Sequence, residues 1–313
     1  MKRSMVVLLR DVCDEWLEVA KKSQLNAFGL HFIVSENDVQ SYIDWLEGEG
    51  RAFVQAMEAQ GVTIEHELHA VNHLLPRSLF ETHPEYFRMN KEGVRTNDYN
   101  LCPHSEEALA LVADNAYVLA TQLKQSGHQY YLWLDDKVDV ACACEKCKKI
   151  TAADQNLLII QAILQGLRRY DPKAQICYLA YADVMEPPTL PVPDGIFLEF
   201  APYFRKPDKA MTDPENTQWR EVFDRLLKVF PAETTEILEY WIDLSLISDY
   251  KRANITRLPY HEELFTKDFD YYVSKGVSGI KTFAAYVDQD YLKTYGGDEL
   301  EKFGCLLKAR TEK

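Results

Sequence analysis

The sequence predicts an α/β fold, a single (β/α)8 barrel that takes in residues 1–313 as one domain. Three observations lead there. Strand-like apolar runs alternate with segments of helical period along the chain, the grammar of a parallel sheet. Eight strand runs can be counted, and no linker-like composition separates them. "LLRDVCDEW" after the first run holds no Gly, whereas a doubly wound nucleotide fold would place a Gly-rich phosphate loop there.

Taken in order, Met5 to Leu9 opens the first strand and "DEWLEVAKKSQ" follows as a helix by its apolar spacing. "NAFGLHFIV" is the second strand, and "VQSYIDWLEGEGRAFVQAMEAQG" is predicted to be one helix ending at Gly61. "VTIEHELHA" alternates strictly, as the third strand should. A long loop is expected from about Val71 to Ser105, where Ser105 with acids behind it starts a helix that closes near Gly127. "QYYLWLDD" and "QNLLIIQAILQGLRRYDP" form the fourth unit. "AQICYLAYA" is followed by a Pro-rich loop, then "GIFLEFAPY", "TQWREVFDRLLKVFP", "TEILEYWID", "HEELFTKDFDYYVSKG" and a last strand, "GIKTFAAYVD".

The charge balance limits the partners. With 35 Lys and Arg against 49 Asp and Glu, the net charge is -14 and the pI about 5.1. Nucleic acid and anionic membrane surfaces need clustered bases, so both are excluded as expected partners. No apolar run reaches the ~18 residues of a membrane span. The N-terminal apolar run is too short for a signal peptide, and seven cysteines without one point to a reducing cytoplasm. A small-molecule substrate is the expected partner, with no cofactor required for catalysis. The oligomeric state has no signature in the sequence.

A barrel places its chemistry where strands end. The polar residues expected there are Arg10, His31, His69, His73, Asp135, Asp136, Tyr181, Glu199, Tyr203, Glu239, Tyr240, Trp241, Asp243 and Tyr286, together with Trp133 and Arg205. Aromatic faces bind sugar rings, and two carboxylates can cleave a glycosidic bond. Asp136 and Glu239, after strands four and seven, should face each other across the mouth. Asp135 beside Asp136 would raise its pKa, or would orient a substrate N-acetyl group acting as nucleophile. Arg10, His31, His69, His73, Tyr181, Glu199, Tyr203, Tyr240, Trp241 and Tyr286 are the expected sugar contacts. The bland alternative has Asp136 capping its loop and Glu239 pairing with Arg10. Glu65 and Glu67 read as buried partners of inward-facing bases, and His66 as a residue turned to the helix layer.

Behind Asp136 lies "CACEKCKK", with Cys142, Cys144 and Cys147. A structural zinc needs a fourth ligand, which either Cys102 or His104 of "NLCPH" could supply. Free or reversibly linked thiols and a catalytic redox pair are the other readings, the last requiring Cys144 and Cys147 at a helix start.

The succession "ELHAVNHLLP", "HPEYFRMNKEG", "NLCPHSEEAL", "CACEKCKK", "LAYADVMEPP" and "LEYW" resembles the DUF4838 family over about Val62 to Phe283. The resemblance implies a glycoside-hydrolase-like barrel, some of whose relatives are assigned as β-N-acetylglucosaminidases, with a more distant similarity to β-hexosaminidases and α-glucuronidases. It implies roles for His69, for Asp136 in an Asn-Asp pair that here reads Asp135-Asp136, and for an acid-Tyr pair that here reads Glu239-Tyr240. Many members carry a strand-eight Glu where this chain has Thr282 or Phe283. The chain also lacks the secretion signal and accessory domains of glycan-degrading members, so small, imported sugars are the expected substrates. An exo-acting glycoside hydrolase is therefore expected. A catalytically degenerate carbohydrate-binding barrel and a metal-dependent sugar isomerase built on His31, His69, Glu199 and Glu239 are the alternatives.

Overall fold

The computed structural model describes residues 1–33 and 38–312. Eight strands run parallel: β1 (Lys2–Leu8), β2 (Ala27–His31), β3 (Thr63–His69), β4 (Gln129–Trp133), β5 (Gln175–Ala180), β6 (Ile196–Phe200), β7 (Glu236–Glu239) and β8 (Gly279–Phe283). They pair in chain order, and β8 returns to β1, closing the (β/α)8 barrel expected from the sequence. Val34, the last residue of the expected second strand, lies outside the described residues.

Eleven α-helices can be numbered around the barrel: α1 (Glu15–Lys22), α2 (Val39–Glu47), α3 (Gly50–Ala59), α4 (Val71–Leu74), α5 (Glu106–Leu123), α6 (Ala152–Tyr170), α7 (Thr217–Leu226), α8 (Leu244–Ile247), α9 (Glu262–Ser274), α10 (Gln289–Tyr295) and α11 (Asp298–Thr311). No helix among the described residues is long and apolar enough to cross a membrane. Two departures from the sequence reading stand out. The single helix expected after β2 is two, broken at Gly48, whose φ of -101° and ψ of -115° leave the helical region, and the Trp45 ring packs where a side chain at Gly50 would stand. Between β5 and β6 runs the Pro-rich loop expected from the sequence, opened by a 3-10 turn (Ala182–Val184). The Asp154 carboxylate in the first turn of α6 fastens that loop, accepting from Thr189 N at 2.6 Å and Leu190 N at 2.9 Å. The final helix, α11, lies beyond the last expected element. It closes the outer ring through Phe303, which meets Phe269 of α9 at 5.1 Å and Trp241 at 5.8 Å.

The barrel interior combines a charged group with apolar side chains. Lys281 Nζ lies 2.9 Å from Glu67, 2.6 Å from Glu199 and 3.3 Å from Glu236, and Lys2 Nζ lies 2.7 Å from Glu236. Tyr131 donates to Glu65 and Glu236, each at 2.9 Å. Burial pushes Glu67 and Glu199 up towards the protonated form. Against the same burial, Lys2 and Lys281 hold Glu236 at about 2. Protonation of Glu67 and Glu199 would leave two lysines facing two carboxylates, close to neutral. The inward bases expected beside Glu65 and Glu67 are thus Lys2 and Lys281. His66 faces outward as read, with Nδ1 2.5 Å from the Tyr42 hydroxyl of α2. Around this charged group Val6, Tyr131, Cys177, Phe197 and Leu238 pack as an apolar plug, and the mouth lies at the C-terminal ends of the strands.

Candidate active site at the barrel mouth

A cavity of about 300 Å³ opens above the plug, within the size range of small-ligand sites. Strand alternation decides what lines it. Leu238 and Tyr240, two apart, face in from β7 and its extension, and Phe283 does so from β8. Leu8, Ile33, Leu179 and Ala285 complete an apolar wall, and Trp133, Tyr181, Tyr203, Tyr250 and Tyr286 supply further rings. Tyr240 stacks on Phe283 at 5.4 Å with 16° between the planes, and Tyr203 meets Tyr240 edge-on at 5.0 Å.

Two histidines present acceptors. His31 Nδ1 lies 2.6 Å from the Glu67 carbonyl, and His69 Nδ1 bonds to the Leu134 carbonyl. A carbonyl only accepts, so each Nδ1 carries the hydrogen, and in the neutral ring Nε2 keeps a lone pair. Burial, followed by the nearby His69, lowers His31 to about 4, which keeps it neutral near pH 7. Tyr286 is fixed at the rim with a left-handed φ of 67°. Its backbone N donates to Asp11 Oδ2 at 2.7 Å, and the Arg252 guanidinium covers its ring at 4.1 Å.

Two carboxyl groups reach the cavity, Asp136 after β4 and Asp243 after β7. Asp136 is exposed at the rim and accepts from the Tyr181 hydroxyl. Asp243 is buried, and its Oδ1 accepts from Ser245 N at 2.9 Å and Ser245 Oγ at 2.5 Å. Burial pushes Asp243 up to about 6, against these hydrogen bonds.

Several expected site residues stand elsewhere. Glu239 is turned out of the barrel by the same alternation that turns Leu238 and Tyr240 in. It accepts from Arg205 Nε at 2.9 Å and from the Tyr272 hydroxyl of α9 at 2.6 Å, and Arg205, not Arg10, is its ionic partner. Trp241 also points outward, donating from Nε1 to Asp268 at 2.9 Å. Glu199 is buried inside the barrel, on Lys281. Asp135 lies on the opposite side of its loop from Asp136. It is ion-paired with Arg77 and accepts from Asn100 N at 2.5 Å. It therefore does not reach a substrate in the cavity. Arg10, which is exposed, and His73, half-buried near Asp38, do not line the cavity. At strand eight Phe283 faces the cavity while Thr282 is buried outside it, so β8 contributes a ring and no acid to the cavity.

His31, His69, Tyr181, Tyr203, Tyr240, Tyr286 and Asp136 do converge. Among residues given no role from the sequence, Asp243, Ser245, Tyr250 and Phe283 join them. Asp243 carried a signal of its own, an acid four residues past a strand in the loop of a barrel mouth. The isomerase ligand set is not assembled, because Glu199 and Glu239 leave the mouth in opposite directions. Among the described residues, the group suited to holding a metal is Cys102, Cys142, Cys144 and Cys147. Cys102, rather than His104, is the fourth member.

The fold is similar to that of Gan42B, a GH42 β-galactosidase from G. stearothermophilus, with a TM-score of 0.61 and 13% identity. That match covers all of this chain and 57% of the other, so this chain spans little more than half of that enzyme's length. PbGH5A, a glycoside hydrolase family 5 enzyme from Prevotella bryantii B14 seen with a xyloglucan oligosaccharide, matches at a TM-score of 0.56 and 11% identity, over 98% of this chain and 95% of that one. XEG5A, a GH5 xyloglucan-specific endo-β-1,4-glucanase from a metagenomic library seen with cellotriose, matches at 0.55 and 11%, over 96% and 88%. At such identities the likeness is one of fold, a glycoside-hydrolase-like barrel. No curated protein matches the chain by sequence. The DUF4838 family model, described as a domain of unknown function, matches residues 18–298, and the chain belongs to that family.

Proposed function

We propose that the chain is a glycoside hydrolase that removes a sugar from a short oligosaccharide, with Asp243 as proton donor and Asp136 as the second carboxylate. The carrying observation is the pairing of these two acids, from opposite sides of the barrel, in one cavity walled by aromatic rings. Cleavage through an oxocarbenium-like transition state needs one carboxyl to protonate the leaving oxygen and another to stabilise or complete the attack. Asp243, held near 6 by burial, keeps a proton available close to neutral pH. Asp136, open to solvent and steadied by the Tyr181 hydroxyl, is placed to receive a proton or support developing positive charge. Trp133, Tyr240 and Phe283 offer faces for the sugar ring, and the free Nε2 atoms of His31 and His69 accept from its hydroxyls. The resemblance to β-N-acetylglucosaminidases makes a terminal N-acetylated sugar the first substrate to try, its methyl group suited to the Leu8, Ile33 and Ala285 wall.

The test is hydrolysis of a panel of aryl and natural β-glycosides of N-acetylglucosamine, glucose, galactose and glucuronic acid. Asp136→Asn should lower kcat/KM by about 10²–10⁴-fold. Asp243→Asn should lose far more on natural glycosides than on nitrophenyl ones, because a nitrophenolate leaves without protonation. Losses under threefold for both folded variants would defeat the assignment. Sugar binding without turnover by the intact chain would favour a carbohydrate-binding barrel instead.

A further inference from the structure

We propose that Cys102, Cys142, Cys144 and Cys147 form a structural zinc site that clips the loop after β3 to the loop after β4. This goes beyond the proposed glycosidase reading and does not depend on it. The four ligand atoms lie within 4.8 Å of one another, and all four residues are buried. A Zn–S bond of about 2.3 Å in a tetrahedron requires S···S separations of about 3.8 Å. Cys102 Sγ lies 3.8 Å from Cys144 Sγ and 3.9 Å from Cys147 Sγ.

Two donors and an imidazole surround the sulfurs, as suits thiolates. The Met89 backbone N lies 3.4 Å from Cys142 Sγ, His104 Nδ1 lies 3.2 Å from Cys147 Sγ, and the Arg95 side chain bonds to Cys102. The Gln155 amide of α6 holds the Cys142–Cys147 segment, accepting from Cys142 N at 2.8 Å and donating to Cys142 O at 3.1 Å. Apolar packing alone does not explain the cluster, because it is separate from the main core and has Met89 as its partly buried apolar neighbour.

A redox pair fits less well. Cys147 lies in the 3-10 turn Cys147–Lys149, and α6 begins only at Ala152 behind its own Thr151 cap, so Cys147 does not receive the donors of a helix start. An all-sulfur tetrahedron without an open position belongs to the structural class of zinc sites. Binding would release the thiol protons and join two long loops that have little regular structure. Beside it, the Asp135–Arg77–Asn100 contacts join the same two loops.

Elemental analysis of the intact chain, purified without added metal and without chelator, should find about one zinc per chain. Titration with an organomercurial should release that zinc as the four thiols react. Cobalt in its place should give the ligand-field bands of a tetrahedral thiolate site. Cys147→Ser and Cys142→Ser should lose the metal and melt at least about 10 °C lower. Cys13→Ser and Cys305→Ser, outside the cluster, should keep both metal and melting temperature. Should the cluster variants fail to fold, the metal content and cobalt spectrum of the unaltered chain decide alone. Absence of metal with all four thiols open to alkylation in the folded chain would overturn the proposal. So would bound iron in place of zinc, or undiminished zinc in both cluster variants.

Discussion

In the proposed function, Asp243 couples the chemistry of the mouth to the stability of the fold. Its carboxyl titrates at about 6, against an ordinary value of 3.8, because burial disfavours its charge. Between those two values the folded chain holds a proton that the unfolded chain has lost. Stability therefore falls as pH rises from about 4 to about 6 and stays reduced above. The cost at neutral pH is about 3 kcal/mol. Asn cannot ionise and caps a helix as well as Asp, so Asp243→Asn should stabilise the chain by up to about 3 kcal/mol at pH 7–8 and by little near pH 4. Denaturant unfolding at the two pH values checks this, and destabilisation at pH 7 would contradict it. If Asp243 is the proton donor proposed above, the same variant should lose the fall in kcat/KM expected of the unaltered chain above about pH 6, since that limb would report the donor. A more stable but less active variant is the trade expected where a site keeps a group its surroundings disfavour.

At the scale of elements, the outward face of β7 is as consequential as its inward face. Glu239 and Asp268 of α9 share Arg205, with side chains almost wholly buried, at 2.9 and 2.8 Å. Burial pushes Glu239 up while Arg205 pulls it down. The cluster fastens the loop after β6 to α9 and so supports the wall that carries Tyr240. Glu239→Gln leaves Arg205 with one carboxylate partner in place of two. It should cost about 3 kcal/mol, the lower end for breaking a buried ion pair, because Asp268 remains. On folded protein, kcat should change less than threefold. Thermal unfolding and initial rates measured side by side separate this from the catalytic role that the strand-end position had suggested. A hundredfold loss of kcat with unchanged stability would restore that role.

For the molecule as a whole, ring closure governs behaviour. β1 is held between β2 and β8, and α11 covers the seam through Leu300, Phe303 and Leu307, all buried. No part of the barrel can leave without exposing strand edges and core. Limited proteolysis should cut first in exposed loop positions, such as Val94 or Val138, and should not yield two halves that stay folded apart. Size-exclusion chromatography of the nicked chain under native conditions checks this. Independently stable halves would contradict the one-domain reading.

The sequence by itself determined the barrel. Eight apolar runs with helical segments between them and no phosphate loop leave few other ways to bury that much surface. It also pointed to the strand-end loops that line the candidate site, to the buried acids Glu65 and Glu67, and to the cysteines that gather behind Asp136. Only the tertiary structure decided which acids meet. Side chains alternate along a strand, so a shift of one position separates the inward Tyr240 from the outward Glu239 and Trp241, and "LEYW" does not reveal which of them turns in. Past the strand end the alternation no longer holds. Asp135 and Asp136 diverge because Arg77 and Asn100, some 35 to 58 residues earlier in the chain, bind the first and leave the second to the cavity. Asp243 owes its raised pKa to the walls that close around it, contributed by strands far apart in sequence, and no local pattern carries that information.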